Sequence, residues 1–280
     1  MEREKSPICD GFAFIEGPRW YKDALWFSDM HGEAVFRVVP GSAPERVVAV
    51  PQRPSGLGWL PNGDLLIASM LDRQVLRWTG SDALLPYADL STIAERRIND
   101  MLVDSQGRAW VGNFGFDLSS GESVMPGTLA RVDSDGSVHA AADALLVANG
   151  MPLLSKGSVL VVAETSEGCL TDFDISSESE LINRRTWAAL PEGAVPDGIC
   201  ADAEGAIWAA SPTTGSVLRL GEGGAVLDSI ETGRQAIACA LGGPEGDTLF
   251  VSSAVATERQ ACREALTARI DAYRVSVPVA

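Results

Sequence analysis

One short apolar segment recurs six times along the chain, and each copy after the first follows a glycine-containing turn. The copies span Leu25–Asp29, Leu65–Ser69, Ala109–Asn113, Leu160–Glu164, Ile207–Ser211 and Leu249–Ser253. Their second residues fall at positions 26, 66, 110, 161, 208 and 250, so successive copies lie 40, 44, 51, 47 and 42 residues apart. A repeat of this length, with about four short strands in each unit, is the period of a β-propeller blade.

The repeat predicts an all-β fold, a six-bladed β-propeller with a central metal-binding channel. Helical solenoids are excluded because no stretch keeps apolar residues at i, i+3, i+4 and i+7. A β-sandwich also has short strands, but it does not repeat one motif six times. We expect a single domain over residues 1–280, in which residues 1–13 close or cap the ring. The predicted units are roughly 14–50, 51–93, 94–142, 143–190, 191–231 and 232–276.

The charge balance excludes several classes of partner. Lys and Arg number 22 against 38 Asp and Glu, which gives a formal net charge of −16. Such a surface repels phosphate backbones and anionic lipid, so we expect no nucleic-acid or membrane partner. The charged N-terminus lacks the apolar core of a secretory signal, and the five cysteines form no C-x-x-C pair. These features predict a cytoplasmic protein with reduced thiols; the oligomeric state is left open.

Polar residues stand at the same place in successive repeats, about 11 residues before each repeated segment. The six equivalent positions are Glu16, Ser55, Asn99, Asn149, Asp197 and Ala236. The innermost strands of a propeller line its channel, so these positions converge at one end of it. One Asn-Gly or Asp-Gly dipeptide alone would indicate only a turn. Four oxygen-bearing side chains in one register, with no His or Cys, instead favour a site for a hard cation.

Several of these same segments resemble the SMP-30/gluconolactonase (regucalcin-like) family of six-bladed propellers. The matching segments are Glu16–Trp20, Leu25–Asp29, Arg97–Asp100, Asn149–Gly150, Val195–Gly198, Ala206–Ala210, Cys239–Gly243 and Leu249–Val251. The resemblance implies one divalent cation in the channel mouth and hydrolysis of a lactone. By residue-to-residue match it implies Glu16, Asn149 and Asp197 as metal ligands. It also implies that Asn99 lies at or near the metal and contacts substrate, and that Arg97 binds substrate.

One stretch departs from the family pattern. Sugar-lactone members often carry an acidic residue just after the third blade's repeated strand, where this chain has two phenylalanines, Phe114 and Phe116, and a displaced Asp117. We expect the phenylalanines to contact substrate, and the connection over residues 112–127 to act as a lid. An apolar lid favours a less polar lactone.

The sequence predicts a metal-dependent hydrolase of carboxylic esters that opens a lactone ring. The cofactor is one divalent cation, with Ca²⁺ expected first and Mn²⁺, Mg²⁺ or Zn²⁺ as alternatives. The cation would polarise the carbonyl while water attacks, with Asp197 as the general base and Asp100 as a weaker candidate. Two alternatives stay open: hydrolysis of another ester, such as an organophosphate triester, or a non-catalytic calcium-binding propeller.

Overall fold

Six four-stranded antiparallel sheets make up the chain in this computed structural model, which describes residues 5–81, 83–117 and 120–279. Five sheets are each built from four consecutive strands, and the sixth combines the last three strands with the first one of the chain. The arrangement agrees with the predicted all-β, six-bladed propeller. No helix in the described ranges is both long enough and apolar enough to cross a membrane.

The first five blades follow one another along the chain. Blade one contains β2 (Ile15–Tyr21), β3 (Ala24–Asp29), β4 (Ala34–Val38) and β5 (Glu45–Ala49), and blade two contains β6 (Pro54–Trp59), β7 (Leu65–Ser69), β8 (Gln74–Trp78) and β9 (Leu84–Asp89). Blade three contains β10 (Ile98–Val103), β11 (Ala109–Asn113), β12 (Gly127–Val132) and β13 (Val138–Leu145). Blade four contains β14 (Leu153–Leu154), β15 (Val159–Glu164), β16 (Cys169–Ile175) and β17 (Leu181–Ala189). Blade five contains β18 (Ile199–Ala201), β19 (Ile207–Ser211), β20 (Ser216–Leu220) and β21 (Val226–Glu231).

The sixth blade closes the ring. It contains β22 (Gln235–Gly242), β23 (Thr248–Ala254) and β24 (Ala268–Arg274), together with β1 (Lys5–Phe12) on its outer edge. Strand β1 is antiparallel to β24, with Lys5 opposite Tyr273 and Phe12 opposite Ala268. The prediction that the N-terminal segment closes the ring is therefore confirmed for residues 5–12. A short helix, α1 (Arg259–Ala265), lies between β23 and β24.

The repeated apolar segments form the second strand of every blade. All six segments are buried along their whole length, in β3, β7, β11, β15, β19 and β23. Each second strand is covered by a neighbouring blade on both faces, so its sequence is a continuous apolar run rather than an alternating one. Trp110 and Trp208 are the largest of these buried side chains.

Aromatic packing joins the last blade to the first. The rings of Trp20 in β2 and Phe250 in β23 stack with centroids 5.4 Å apart. Phe250 also belongs to an apolar cluster that includes Phe12 and Phe27, whose rings meet edge to face at 5.0 Å. Because this cluster draws on β1, blade one and blade six, it stabilises the closure of the ring.

Neighbouring first strands approach each other closely beside the polar positions. A Cβ atom on Gly17 would lie 2.6 Å from the Ser55 carbonyl oxygen, and one on Gly198 would lie 2.3 Å from the Ala238 Cβ. Only glycine fits at such distances. These two glycines follow Glu16 and Asp197 directly, so the backbone packs tightly where the polar side chains converge.

The closure cluster predicts a large effect of Phe250→Ala. Phe250 is 1% exposed, and truncation of a buried phenylalanine leaves a cavity. We expect the free energy of unfolding to fall by about 3–5 kcal/mol in urea denaturation. Phe250→Leu, which keeps most of the volume, should cost less than about half of this. Equal losses for the two variants would contradict a packing role for the ring.

Candidate active site

Four of the polar positions meet at the start of the first strands, where the sequence placed them. The Asn149 side-chain amide donates to Asp197 Oδ1 at 2.5 Å, and the Gly150 amide donates to the Asp197 carbonyl at 3.2 Å. The Asn99 side-chain amide donates to the backbone carbonyl of Ala148, next to Asn149, at 3.3 Å. The pKa of Glu16 responds to the charge of Asp197, so these two carboxylates are also near each other.

Backbone hydrogen bonds hold Asn149 and Asp197 in place. The Asn149 amide bonds the Ala163 carbonyl in β15, and the Asp197 amide bonds the Ala210 carbonyl in β19, both at 2.9 Å. Both partners lie in buried second strands, so the two side chains are fixed by the most rigid part of blades four and five.

Burial makes the two carboxylates costly to ionise. Glu16 is 8% exposed and Asp197 is 9% exposed. Burial, followed by the negative charges of Asp197 and Asp100, raises the pKa of Glu16 well above its ordinary value. Burial likewise raises the pKa of Asp197, against the stabilising hydrogen bond from Asn149. Within the described residues, neither carboxylate has a salt-bridge partner closer than 4.0 Å.

Asp100 differs from these two carboxylates because it has a cationic partner. Arg19 Nη2 donates to Asp100 Oδ1 at 2.8 Å and also to the Met101 carbonyl. The Met101 amide bonds the same Asp100 oxygen at 2.8 Å. Arg19 lies three residues after Glu16 in the same strand, but it is outside the register of the six polar positions and was therefore not predicted.

The donor set fits a hard divalent cation. Among the described residues no three His, Cys, Asp or Glu side chains form a metal-binding group, so a site here depends on asparagine as well as carboxylate. The Asn149 Nδ2 donates to Asp197 and to Thr165 Oγ1, and the Asn99 Nδ2 donates to Ala148. No described residue donates a hydrogen bond to the side-chain oxygen of either asparagine, so both oxygens are able to bind another partner. Two buried like charges and two amide oxygens match the ligands that hard cations take.

The remaining equivalent positions contribute no acid. The Ser55 carbonyl accepts a hydrogen bond from the Ser28 hydroxyl at 2.7 Å, and Ala236 is fully buried. The charged side chains among the six equivalent positions are consequently Glu16 of blade one and Asp197 of blade five.

A cleft of about 350 Å³ borders Arg97, two residues before Asn99 in sequence. Its lining residues are Arg53, Leu71, Arg73, Glu95, Arg96, Arg97 and Asp117. The Arg97 guanidinium lies 4.9 Å from the centroid of the Phe114 ring and 3.3 Å from Asp117 Oδ1. Two neighbours on different sides thus hold the Arg97 side chain in position.

The phenylalanines do not give this cleft an apolar surface. Phe116 is 3% exposed and packs against Phe114 at 6.3 Å between centroids, while Arg97 covers the Phe114 ring. The cleft lining is mostly charged where the sequence predicted apolar contacts. The predicted lid over residues 112–127 includes residues 118–119, which lie outside the described residues.

Comparison with known proteins shows the family of this chain. The family model of the SMP-30/gluconolactonase/LRE-like region matches residues 14–255. The chain belongs to this family. A 6-deoxy-6-sulfogluconolactonase from Pseudomonas putida is 25% identical over 94% of this chain and 91% of its own length. A pentonolactonase from Haloferax volcanii is 26% identical over 85% of this chain and 81% of its own length.

Solved structures show the same fold. A luciferin-regenerating enzyme superposes with a TM-score of 0.85 at 19% identity, covering 99% of this chain and 97% of the other. A structure described as a calcium-binding protein, regucalcin from Agrobacterium tumefaciens, gives a TM-score of 0.81 at 20% identity, covering 98% and 93%. The match to the family model confirms the family resemblance found in the sequence.

The crowded carboxylates predict an unusual effect of Glu16→Gln. Glu16 is ionised in the unfolded chain at pH 8, whereas burial and nearby carboxylates disfavour its charge in the folded protein. In EDTA the neutral glutamine avoids this penalty, so we expect the free energy of unfolding to rise by about 1 kcal/mol or more. Thermal melting followed by circular dichroism measures the change. Glu45→Gln on strand β5 breaks only an exposed ion pair with Arg37, so it should leave the melting temperature almost unchanged. A lower melting temperature for Glu16→Gln in EDTA would contradict the repulsion between the carboxylates.

Proposed function

We propose that this protein is a metal-dependent hydrolase that opens a lactone ring, a reaction on a carboxylic ester bond. The observation that carries the proposal is the convergence of Glu16, Asn99, Asn149 and Asp197 at the channel mouth, with both carboxylates buried and without a salt bridge to any described residue. Membership of a family that contains lactonases supports the same reaction.

Glu16, Asn149 and Asp197 would hold the divalent cation, with Asn99 beside them. Ca²⁺ is the first choice because all donors are oxygens, and a solved structure of the same fold is described as a calcium-binding protein. Mn²⁺, Mg²⁺ and Zn²⁺ are the alternatives. A cation bound here would supply Lewis-acid polarisation of the lactone carbonyl and stabilise negative charge on its oxygen.

Asp197 is the best-placed general base. Burial raises its pKa towards the working range of a base, and Asn149 occupies one carboxylate oxygen, which fixes the orientation of the other. Asp100 is a weaker candidate because Arg19 and the Met101 amide already bind one of its oxygens. We therefore assign proton removal from the attacking water to Asp197.

Arg97 is assigned to substrate binding. Its position between Phe114 and Asp117 directs a held guanidinium into the cleft. Asn99 would add an uncharged hydrogen bond to the substrate from the side of the proposed metal site. A preference for a less polar lactone finds no support in the cleft, because Phe116 is buried and Arg97 covers Phe114. The cytoplasmic location stays a prediction.

A lactone panel tests the reaction class. Gluconolactone, simple γ- and δ-lactones and dihydrocoumarin are assayed with a pH indicator, after EDTA treatment and again with added Ca²⁺, Mn²⁺, Mg²⁺ or Zn²⁺. We expect turnover that EDTA abolishes and a divalent cation restores. Bound metal without turnover of any lactone would favour another ester, such as an organophosphate triester, or a non-catalytic calcium-binding propeller.

Variants of the two carboxylates test the site itself. Asp197→Ala should lower kcat/KM by about 10²- to 10⁴-fold or more, because it removes both a base and a metal ligand. Glu16→Gln should weaken Ca²⁺ binding about 10-fold or more in isothermal titration, because an anionic ligand becomes neutral. Asp143→Asn, at an exposed position on β13, is the control and should resemble the wild type. Normal activity and metal content in both site variants would disprove the assignment.

A further inference from the structure

Arg53 is the arginine of the charged cleft for which the described residues provide no hydrogen bond or salt bridge to the guanidinium. It is half-buried immediately before β6, and its Nε is buried without an acceptor among the described residues. None of the described residues forms a hydrogen bond or salt bridge with the rest of its guanidinium. An arginine in this condition, on the wall of a cleft, is able to bind an anion from outside the protein.

Arg53 stands in the same register as Arg97. Each lies two residues before the polar position of its blade, Arg53 before Ser55 and Arg97 before Asn99. Equivalent positions of adjacent blades lie at the same level of a propeller, and both arginines line the same cleft. Two residues of extended chain span about 7 Å. The wall of the cleft at Arg97 is therefore close to Asn99, where the polar residues of the neighbouring blades meet.

The other guanidinium groups of the cleft already have partners. Arg97 bonds Asp117, Arg96 bonds Glu122 at 3.0 Å, and Arg73 donates to the Ala94 carbonyl. Four arginines line the cleft against two carboxylates, Glu95 and Asp117. This local excess of positive charge belongs to a protein whose net charge is −16. A basic cleft in an acidic protein attracts anions selectively to that place.

Two further observations show that Arg53 is held in an unfavourable state. Its backbone adopts a left-handed conformation with φ of 66°, which residues other than glycine and asparagine rarely adopt. Hydrogen bonds from its amide to the Val50 carbonyl and from the Met70 amide to its carbonyl maintain that conformation. Burial and the positive charges of Arg259 and Arg97 lower its pKa, against the opposing charge of Glu33. A bound anion would relieve this crowding of charge.

We propose that Arg53 binds an anionic substituent, a carboxylate, sulfonate or phosphate group, that the lactone carries away from its ring carbonyl. The proposal rests on the proposed lactonase function, because it places the carbonyl at the converged polar residues and the anion in the adjacent cleft. It makes Arg53 the residue that determines specificity for a negatively charged lactone. Arg97 lies between the two and contacts the ring.

The kinetic test compares neutral and anionic lactones in the metal-loaded protein. Gluconolactone is the neutral substrate, and its 6-phosphate, its 6-deoxy-6-sulfo analogue and glucarolactone are the anionic ones. We expect the wild type to prefer an anionic lactone, and Arg53→Asn to lower kcat/KM for that lactone by about 10- to 100-fold, through KM. For gluconolactone the change should stay within about threefold. The ranking of the three anions identifies the class of substituent.

Three variants distinguish a direct contact between Arg53 and the anion from an effect of the protein's overall charge and from a folding defect. Asparagine tolerates the left-handed backbone, so Arg53→Asn should fold. Arg53→Lys keeps the charge without the planar fork and should recover part of the preference. Arg46→Gln removes a positive charge from exposed β5 and should leave selectivity unchanged. A loss in Arg46→Gln equal to that in Arg53→Asn, or equal losses for neutral and anionic lactones, would overturn the proposal.

A binding measurement separates failure of this proposal from failure of the lactonase function. Isothermal titration with 6-phosphogluconate and with gluconate needs no turnover. We expect 6-phosphogluconate to bind the wild type more tightly than gluconate, and Arg53→Asn to remove most of the difference. If no lactone is hydrolysed but this difference is found, the anion site stands and the reaction assignment falls. If the wild type binds the two acids equally, or Arg53→Asn keeps the difference, the anion site is disproved.

Discussion

The close approach of neighbouring first strands at the channel mouth is the constraint on which the rest of this structure depends. Glycines directly after Glu16 and Asp197 allow backbones to pack where any Cβ would collide. The ring must close for this geometry to exist, and β1 with the aromatic cluster around Phe250 closes it. Tight packing then excludes water from the polar side chains, so that carboxylates placed there are buried as a consequence of the fold. The chemistry of the mouth therefore follows from how the blades meet.

Burying two like charges together is unfavourable unless something balances them. Arg19 forms a salt bridge with Asp100 but with neither Glu16 nor Asp197. Burial and the charges of Asp197 and Asp100 raise the pKa of Glu16 against the opposing charge of Arg19, and burial and the charge of Asp100 raise the pKa of Asp197. If these two carboxylates had only a structural role, we would expect each to form a salt bridge with a cationic side chain. The buried Asp202 does this elsewhere in the chain, where Arg219 lies 2.7 Å away. The absence of such a salt bridge among the described residues distinguishes the mouth from an ordinary buried ion pair. A site that stays electrostatically incomplete in this way is suited to a cation.

The period of the repeat was enough to predict the blades, and register alone brought Glu16, Asn99, Asn149 and Asp197 together. Both follow from strand geometry, which the chain repeats six times. The contacts of Phe114 and Phe116 were not predictable in the same way, because side-chain directions in a long connection are not fixed by the repeat. Arg53 carried a signal that was overlooked: it shares its register with Arg97. Arginine at a strand start is usually solvated. Arg53 differs because its Nε is buried and has no hydrogen-bond acceptor among the described residues.

The mouth carries negative charge and the cleft carries positive charge, and this arrangement would orient the anionic lactone proposed above. Two buried carboxylates occupy the inner end, whereas an arginine-rich wall lies beside it. An anionic substituent is repelled by the carboxylates and attracted by Arg53, so it would settle in the cleft and leave the uncharged carbonyl to face inward. The wrong orientation would bring like charges together at low dielectric, where they cost most. Discrimination between the two ends of a small lactone thus needs no large apolar pocket, which agrees with the burial of Phe116.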